Sequence, residues 1–324
     1  MPDPYRLLQY LLADPDGSLA DAVDTLGLSR DEIGALAEVA RARGINIDDT
    51  GAGLRLASSD LSLYDRANVR RAIDGVAPGT LARLDLLTEV DSTNAYLAAG
   101  GAAFAAPTVC LAEFQTAGRG RRGRVWQGTY GASVLASIYW RFPQATSLEG
   151  LSLCVGVAVI RALQALGASH LALKWPNDVY GNGAKLAGIL IESASRSGGW
   201  DTVTGIGLNV SENPDMFSSV EQAWTSLNRL LPEPKARDAI AGCLIGHVLQ
   251  GLSDYAVTGL APVHAAWPEV DLTAGCKVRV TSGTHTAIGV ARGIDARGAL
   301  RVETEQGVQA FHSAEVSLRL DGEA

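Results

Sequence analysis

The segment Gly118–Arg124 combines residue types that suit the binding of a small anion. It reads Gly-Arg-Gly-Arg-Arg-Gly-Arg and is followed by Val125 and Trp126. Glycine lets backbone N–H groups approach a ligand closely, and the planar guanidinium of arginine matches carboxylate and phosphate. The segment therefore indicates a site for a ligand that carries these groups, although a solvated basic loop or a nucleic-acid patch would have the same composition.

A second polar segment, Lys174-Trp175-Pro176-Asn177-Asp178, ends one predicted strand, and Lys185 stands at the head of the next, strongly apolar one. This strand–turn–strand order can place the Lys185 ammonium beside an anion held by the arginine–glycine segment, where a fixed cation stabilises developing charge. Each residue taken alone also fits a simpler role. Lys185 fits a solvated lysine at a strand start, and Asp178 fits a carboxylate that caps a turn.

Asp91-Ser92-Thr93-Asn94 precedes a short predicted helix. Ser, Thr and Asn are frequent helix N-caps, and the same side chains can form a cluster of hydrogen-bonding groups for a polar head group. The residue types alone do not separate these two roles.

Several other kinds of site are not indicated. The sequence has no G-x-x-x-x-G-K-[ST] phosphate loop, no G-x-G-x-x-G after a strand and no G-x-S-x-G elbow. Its histidines are scattered, and its four cysteines form no C-x-x-C pair, so we expect no fixed metal site and four buried, reduced thiols. These cysteines are Cys110, Cys154, Cys243 and Cys276.

The elements that must position these segments begin with a helical unit, residues 1–65. Apolar residues recur at helical spacing from Tyr5 to Ala13, and Ser18 and Ser29 are placed to cap a second and a third helix. Two short apolar runs around a glycine turn at 51–53 then predict a hairpin. Three helices and a hairpin are the order of a winged helix-turn-helix.

The rest of the chain predicts two further units. Residues 57–80 are polar and weakly patterned, so we expect a domain boundary there. Residues 66–270 mix strands and helices in α+β order, and residues 271–324 contain short alternating runs between glycine turns, typical of a small all-β barrel. The predicted central strands are Leu84–Leu87, Val109–Glu113, Ser133–Trp140, Leu171–Lys174, Gly188–Ser193 and Val203–Val210, and the predicted central helices are Leu148–Leu166 and Arg237–Tyr255.

The net charge of −8 gives this chain no general attraction to nucleic acid or to an anionic membrane, so any anion site must be local. The most apolar helix-length stretch contains Glu149 and Arg161, which favours a buried helix over a membrane span. The N-terminus lacks the basic and apolar regions of a signal peptide, which predicts a cytoplasmic protein.

Taken together, the motifs resemble the biotin–protein ligases, specifically the bifunctional type that doubles as biotin operon repressor. The likeness runs through nearly the whole chain from about Leu84 onward. The family's blocks D-S-T-N, GRGRRGR-x-W, KWPND, K-L-A-G-I-L-[VI]-E and G-I-G-[LI]-N-V correspond to Asp91–Asn94, Gly118–Trp126, Lys174–Asp178, Lys185–Glu192 and Gly205–Val210. Arg292–Leu300 and Ser317–Arg319 also look like this family.

This resemblance implies an α+β fold with an N-terminal winged helix-turn-helix, a central catalytic domain like class II tRNA synthetases and a C-terminal SH3-like barrel. It implies that biotin's carboxylate attacks the α-phosphate of Mg·ATP, giving biotinyl-5′-adenylate and pyrophosphate. A lysine of a biotin carboxyl carrier domain, from acetyl-CoA carboxylase or a related carboxylase, then takes the biotinyl group. Biotin, ATP and Mg²⁺ are the implied ligands, and the resemblance also admits a homodimer.

Carried over residue by residue, the resemblance implies three overlapping sets. The catalytic residues are Lys185, Arg121 and Asp178, the last to orient or deprotonate the incoming lysine. Biotin is expected to contact Ser92, Thr93, Asn94, Gln115, Arg119, Gly120, Arg121, Lys185 and Gly188. ATP and the adenylate are expected to contact Arg119, Arg121, Arg124, Trp126, Asn177, Lys185 and Arg319, with Trp126 covering the site or stacking on adenine.

The resemblance also implies DNA contacts by Ser29 and Arg30, but charge argues against them. Residues 1–60 contain eleven Asp and Glu against five Arg, a net charge of −6 out of −8 for the chain. Specific binding requires several Lys or Arg contacts to phosphate, and the candidates are few. They are Arg30, Arg41, Arg43 and Arg55.

Three interpretations follow. The first is a ligase whose N-terminal unit is structural or contacts a protein. The second is a ligase that also represses transcription. The third is a non-catalytic biotin sensor, which would require the loss of Lys185 or of the arginine–glycine segment, and both are present.

Overall fold

The computed structural model describes residues 4–57, 61–128, 130–211, 222–282, 285–312 and 317–320, with only the backbone described for Ser282, His285 and 317–320. Its helices are α1 (Tyr5–Ala13), α2 (Leu19–Leu26), α3 (Arg30–Ala42), α4 (Arg66–Val76), α5 (Thr93–Gly100), α6 (Leu151–Ala165), α7 (Arg237–Thr258) and α8 (Ala261–Val270). Its strands are β1 (Ile47–Asp49), β2 (Leu54–Leu56), β3 (Arg83–Val90), β4 (Thr108–Gln115), β5 (Ser133–Pro143), β6 (Leu171–Lys174), β7 (Asp178–Gly181), β8 (Ala184–Arg196), β9 (Gly199–Asn209), β10 (Lys277–Ser282), β11 (His285–Ile294), β12 (Leu300–Thr304), β13 (Gly307–Phe311) and β14 (Ser317–Leu320).

The N-terminal unit consists of α1, α2, α3 and the antiparallel hairpin β1–β2 around one hydrophobic core. Ser18 and Ser29 each form a capping box with the acidic residue three positions later, which satisfies free N–H groups at the helix start. The predicted order of three helices and a hairpin is confirmed. Tyr130, from the central part of the chain, is also buried in this core and stacks on Phe114.

A seven-stranded sheet forms the middle of the molecule, in the order β3-β4-β5-β9-β8-β7-β6. Only the β3–β4 pair is parallel among the pairs of this sheet in the described residues. The core between the sheet and helices α6 and α7 is continuous, and α6 is buried along nearly its whole length. The mixed α+β prediction is confirmed, and each predicted central strand and helix is found with bounds that differ by a few residues at most.

Three elements of the central region were not predicted. Helix α4 lies in the stretch that was assigned to a weakly patterned boundary. Its sequence pattern is weak because only Val69 and Ile73 in it are buried. Strand β7 begins at Asp178, two residues after Pro176, where a break was expected, and it is only four residues long. Helix α8 contains Pro268 in its interior, a residue that normally interrupts helices.

Five C-terminal strands form a second, antiparallel sheet in the order β13-β12-β11-β10-β14. The predicted short strands are confirmed, except that Val316, at the start of the last one, lies outside the described residues. Buried residues such as Val280 and Leu300 continue the core of the central sheet. Trp175 donates a hydrogen bond from its indole nitrogen to the Gly298 carbonyl oxygen at 3.0 Å, which ties the two regions together.

The prediction of four buried thiols is wrong for two cysteines. Cys110 and Cys154 are buried, and burial raises the pKa of the Cys154 thiol to about 12. Cys243 is half-buried, and Cys276 is exposed because it lies in the turn before β10. No helix in the described part of the chain is long and apolar enough to cross a membrane.

A buried ion pair anchors the chain that leads out of the N-terminal unit. Arg237 of α7 pairs with Glu113 of β4, and their side chains are 3% and 2% exposed. The Tyr64 N–H donates to the Glu113 carboxylate at 2.6 Å, and the Arg237 guanidinium lies 3.7 Å from the Tyr64 ring centroid. Arg237 also donates to the Ser62 carbonyl oxygen at 2.6 Å. The pair therefore has additional hydrogen bonds of the kind that buried charges require, although Arg237 Nε has no partner among the described residues.

The variant Arg237→Met tests this anchor. We expect it to lower the free energy of unfolding by about 3–5 kcal/mol, because the Glu113 carboxylate stays buried without its cation. Arg297→Met is the control, since Arg297 forms an exposed pair with Glu149 and its loss should leave the free energy of unfolding nearly unchanged. Urea denaturation followed by circular dichroism measures both losses, and equal losses would contradict the assignment.

Candidate functional site

The arginine–glycine segment forms a short hairpin after β4, here called the arginine–glycine hairpin (Gly118–Trp126). Arg119 and Val125 are bridged in antiparallel register, and the Trp126 N–H donates to the Gly118 carbonyl oxygen at 2.9 Å. At the tip, Arg122 adopts a φ of +57°, a left-handed conformation that a tight turn requires. A Cβ at Gly118 would lie 2.5 Å from the Trp126 carbonyl oxygen, so this stem position requires glycine.

Beside the hairpin, the residues at the start of α5 form a buried polar cluster with Gln115 and Ser137. Ser92 is the N-cap of α5, while Thr93 and Asn94 are 4% and 3% exposed and face inward. The Thr93 N–H and hydroxyl both donate to Gln115 Oε1, at 2.7 and 2.9 Å. The Ser137 hydroxyl lies 2.7 Å from Thr93 Oγ1 and 2.6 Å from Asn94 Oδ1. The motif therefore does both things that its residue types allow: Ser92 caps the helix, and Thr93 and Asn94 belong to the polar cluster.

Glu192 of β8 connects this cluster to the hairpin. Asn94 donates from Nδ2 to Glu192 Oε2 at 2.8 Å, and Arg119 donates to the same oxygen at 3.2 Å. Asn94 Nδ2 also lies 3.3 Å from the Leu190 carbonyl oxygen. Its amide group is therefore held on all sides.

Three glycines form the floor of the site. Gly188 of β8 pairs directly with Gly207 of β9, and Gly205 lies two residues earlier on the same strand face. A Cβ at Gly207 would lie 2.3 Å from the Trp126 indole, one at Gly188 2.9 Å from it, and one at Gly205 2.2 Å from Asn94 Oδ1. The glycine floor therefore lets the side chains of Trp126 and Asn94 lie directly on the sheet.

The Trp126 indole carries an unused donor at this floor. Its Nε1 atom is buried and has no hydrogen-bond partner among the described residues. A buried N–H without a partner is costly, so this atom suits a contact to a bound ligand.

The cations of the site are held by acceptors of the same chain. Lys185 Nζ lies 2.9 Å from Asp178 Oδ2, with both side chains 22% exposed, and 5.9 Å from the Trp126 ring centroid. Arg121 donates to Asn177 Oδ1 at 3.0 Å, and burial is the main cause that lowers the pKa of its guanidinium. Lys185 is therefore an ion-paired, partly buried lysine and not the solvated one of the simpler alternative, and Asp178 is its partner.

Most residues expected to bind substrate thus lie in one connected set of contacts. They are Ser92, Thr93, Asn94, Gln115, Arg119, Arg121, Trp126, Asn177, Asp178, Lys185 and Gly188. Gly120 belongs to the hairpin, and Arg124 is exposed on it. Arg319 pairs through its backbone with Arg279 in the C-terminal sheet, and its side chain lies outside the described ones.

The sequence analysis missed three polar residues of this region. Ser137 is fully buried in β5, and its signal was a hydroxyl within an otherwise apolar strand. Glu192 ends a recognised motif, but its partners come from distant segments. Asn209 follows Gly207 on the same strand face, and its buried Oδ1 has no partner within the described ranges, while Nδ2 donates to the Thr225 carbonyl oxygen at 3.2 Å.

The N-terminal residues expected near DNA have other partners. Ser29 caps α3 by accepting from the Glu32 N–H, and Glu32 accepts from Ser29 in return. Arg43 is 7% exposed, pairs with Glu89 and lies 5.6 Å from the Phe114 ring centroid. Its inclusion among the phosphate contacts is therefore wrong, because it faces the central sheet.

Comparisons with known proteins agree with this geometry. The model of the "Biotin/lipoate A/B protein ligase family" matches residues 87–209, and that of the "Biotin protein ligase C terminal domain" matches residues 274–319. The bifunctional ligase/repressor BirA of Escherichia coli is 33% identical over 319 residues, which cover 98% of this chain and 97% of that protein. The biotin--[acetyl-CoA-carboxylase] ligase of Mycobacterium tuberculosis is 35% identical over 244 residues, covering 73% and 88%.

A solved structure extends the likeness to three dimensions. The biotin protein ligase from Aquifex aeolicus, in complex with biotin and ATP, aligns with a TM-score of 0.63 and 27% identity over 74% of this chain and 100% of that one. Sequence and structure therefore lead to one conclusion: this chain belongs to the biotin protein ligase family.

Proposed function

We propose that this protein activates biotin with Mg·ATP to biotinyl-5′-adenylate and transfers the biotinyl group to a lysine of a biotin carboxyl carrier domain. The observation that carries this proposal is the convergence of Arg119, Arg121 and Lys185 over a glycine floor, next to a buried polar cluster. Relatives named as ligases and a neighbour that holds biotin and ATP support it.

The buried cluster is suited to the polar head group of biotin. Gln115 Oε1 accepts twice from Thr93, which leaves the amide nitrogen of Gln115 on the side of Gly118. Ser92, Thr93, Asn94 and Gln115 surround the head group in this proposal, and their hydrogen bonds within the chain already fix their orientation, so little ordering is needed when biotin binds. Gly188 leaves room for the Trp126 indole on the sheet, and in this proposal biotin lies beside that indole.

Adenylation brings two anions together, and the cations reduce their repulsion. Lys185 must exchange Asp178 for oxygens of the biotin carboxylate and the α-phosphate, and Arg121 must turn from Asn177 to phosphate. Fixed cations of this kind contribute most where charge develops in the transition state. Once Lys185 turns to the substrate, Asp178 is free to orient or deprotonate the incoming lysine.

The hairpin and Trp126 shield the adenylate from water. The adenylate is a reactive anhydride, and a loop that closes over it prevents hydrolysis. Arg119, Gly120 and Arg121 wrap it in this proposal, and Arg124, Asn177 and Arg319 complete the contacts to ATP. Mg²⁺ enters with ATP; in the described part of the chain no group of three His, Cys, Asp or Glu is placed to hold a metal.

The finer fold assignment belongs to the same proposal. Residues 1–65 form a winged helix-turn-helix, supported by α1, α2, α3 and the β1–β2 hairpin. Residues 66–270 form a catalytic domain like class II tRNA synthetases, supported by the seven-stranded sheet. Residues 271–324 form an SH3-like barrel, supported by the five-stranded antiparallel sheet.

Repression of transcription is the second candidate function. The N-terminal layout and the name ligase/repressor of the Escherichia coli relative favour it. The net charge of −6 over residues 1–60 and the inward position of Arg43 oppose it.

The first prediction concerns Lys185. Purified protein mixed with biotin and Mg·ATP, without acceptor, should form one bound equivalent of biotinyl-adenylate. The reaction is measured by pyrophosphate release and by mass spectrometry of the bound adenylate. Lys185→Ala should slow adenylation by at least about 100-fold, because a transition-state charge contact is lost. Lys235→Ala, at an exposed lysine, is the control. A Lys185→Ala rate within a few-fold of wild type would refute the role.

The second prediction concerns the glycine floor. Gly207→Ala should raise the KM for biotin by about tenfold or more without unfolding the protein, because the new methyl group displaces the Trp126 indole, from which its Cβ would lie 2.3 Å. Gly34→Ala is the matched control, since a Cβ there meets nothing within 4 Å. Steady-state kinetics with thermal melts measure both, and an unchanged KM for Gly207→Ala would argue against a ligand at this floor.

The third prediction concerns DNA. A mobility-shift titration with an inverted-repeat duplex, biotin and ATP, at about 50 and about 200 mM salt, should show no sequence-specific complex, because few cations face outward. A complex that survives competitor DNA, weakens with salt and is lost in Arg30→Ala would support repression instead.

A further inference from the structure

Glu192 is a carboxylate in a site for anions, and no step proposed above uses it. A negative charge beside the biotin carboxylate and ATP opposes their binding unless it has a compensating role. Its side chain is 37% exposed, and that of its partner Arg119 is 44% exposed. The contacts of Glu192 with the rest of the site indicate what this role is.

One side of Glu192 holds the buried cluster. Asn94 donates from Nδ2 to Glu192 and to the Leu190 carbonyl oxygen, while its Oδ1 accepts from Ser137. A carboxamide has two donor hydrogens on nitrogen and an acceptor oxygen, so these partners fix which way the Asn94 amide points. Without Glu192, one buried donor hydrogen would lose its acceptor.

The other side of Glu192 holds the hairpin. Arg119 is the stem residue that is bridged to Val125, and its guanidinium reaches Glu192 Oε2 at 3.2 Å. A half-exposed pair of this kind is weak and sensitive to salt. It is therefore strong enough to bias the position of the stem, both before a ligand arrives and while the ligand is bound.

We propose that Glu192 is a positioning residue that couples the two halves of the site. It orients Asn94 and, through the same oxygen, holds the stem of the arginine–glycine hairpin by Arg119. The hairpin and the head-group cluster are thereby set together, before substrate binds. The choice of biotin and its adenylate as probes rests on the proposed function, whereas the coupling itself lies within this chain.

Two variants separate the contacts of Glu192. Glu192→Gln keeps an acceptor for Asn94 but removes the charge that holds Arg119. Biotinyl-adenylate should then dissociate about threefold to fivefold faster at low salt, in line with a half-exposed pair. The wild-type dissociation rate should rise more steeply with salt than the Glu192→Gln rate, because salt weakens the Glu192–Arg119 pair in addition to the contacts between the cations and the adenylate. A purely structural residue would not change this salt dependence.

Glu192→Ala removes both contacts. It should add about a tenfold rise in the KM for biotin, because the Asn94 donor loses a buried acceptor. In an Arg119→Gln background, Glu192→Gln should have no further effect on dissociation. Glu303→Gln is the matched control, since Glu303 forms an exposed pair with Arg292 outside the site, and it should behave as wild type throughout.

A substrate-free measurement keeps this proposal distinct from the proposed function. The hairpin contains four arginines at which trypsin cleaves: Arg119, Arg121, Arg122 and Arg124. Initial cleavage there should be faster in Glu192→Gln than in wild type at low salt, and unchanged in Glu303→Gln. If wild type forms no adenylate, the proposed function fails and the trypsin rates still decide the coupling. A trypsin cleavage rate in Glu192→Gln equal to that of wild type would overturn the coupling. So would additive effects of Glu192→Gln and Arg119→Gln on the dissociation of the adenylate.

Discussion

The proposed reaction requires cations that are held close together before two anionic substrates arrive. In this site each of them is held by an acceptor of the same chain: Lys185 by Asp178, Arg121 by Asn177 and Arg119 by Glu192. These partners offset the mutual repulsion of the cations and fix their directions. In the proposed reaction, substrate binding is an exchange of partners for Lys185 and Arg121, so the cost of desolvating these cations has largely been met when the protein folds.

Such an arrangement needs a rigid support, and the central sheet supplies it at glycine positions, where no side chain separates the hairpin from the strands. Gly188 and Gly207 are direct neighbours on β8 and β9, and the Trp126 indole rests on them while its ring faces the Lys185 ammonium. At these two glycine positions the strands keep their backbone pairing and leave room for the indole. The hairpin is therefore seated by the sheet, although its own hydrogen bonds are few.

Contiguous motifs were sufficient to predict most residues of the candidate site, because each motif brings several of them to one turn or strand end. Lys185 and Asp178 are seven positions apart, so a single strand–turn–strand unit is enough to bring them together. Ser137 and Glu192 lie 43 and 98 positions from Asn94, so only the strand order β5-β9-β8 brings them to it. Helices α4 and α8 were missed for local reasons: one buries only Val69 and Ile73, and the other contains Pro268.

The N-terminal unit has the helix order of a DNA-binding unit, and it also packs against the central part of the chain. Its charge is unfavourable for phosphate, yet Arg43 reaches inward to Glu89 and over the Phe114 ring. Phe114 directly precedes Gln115 of the buried cluster, and Tyr130, which stacks on Phe114, follows the hairpin and is buried in the N-terminal core. The unit therefore packs against both ends of the segment that carries the hairpin. That packing accounts for a well-formed helical core whether or not the outer face of α3 contacts DNA.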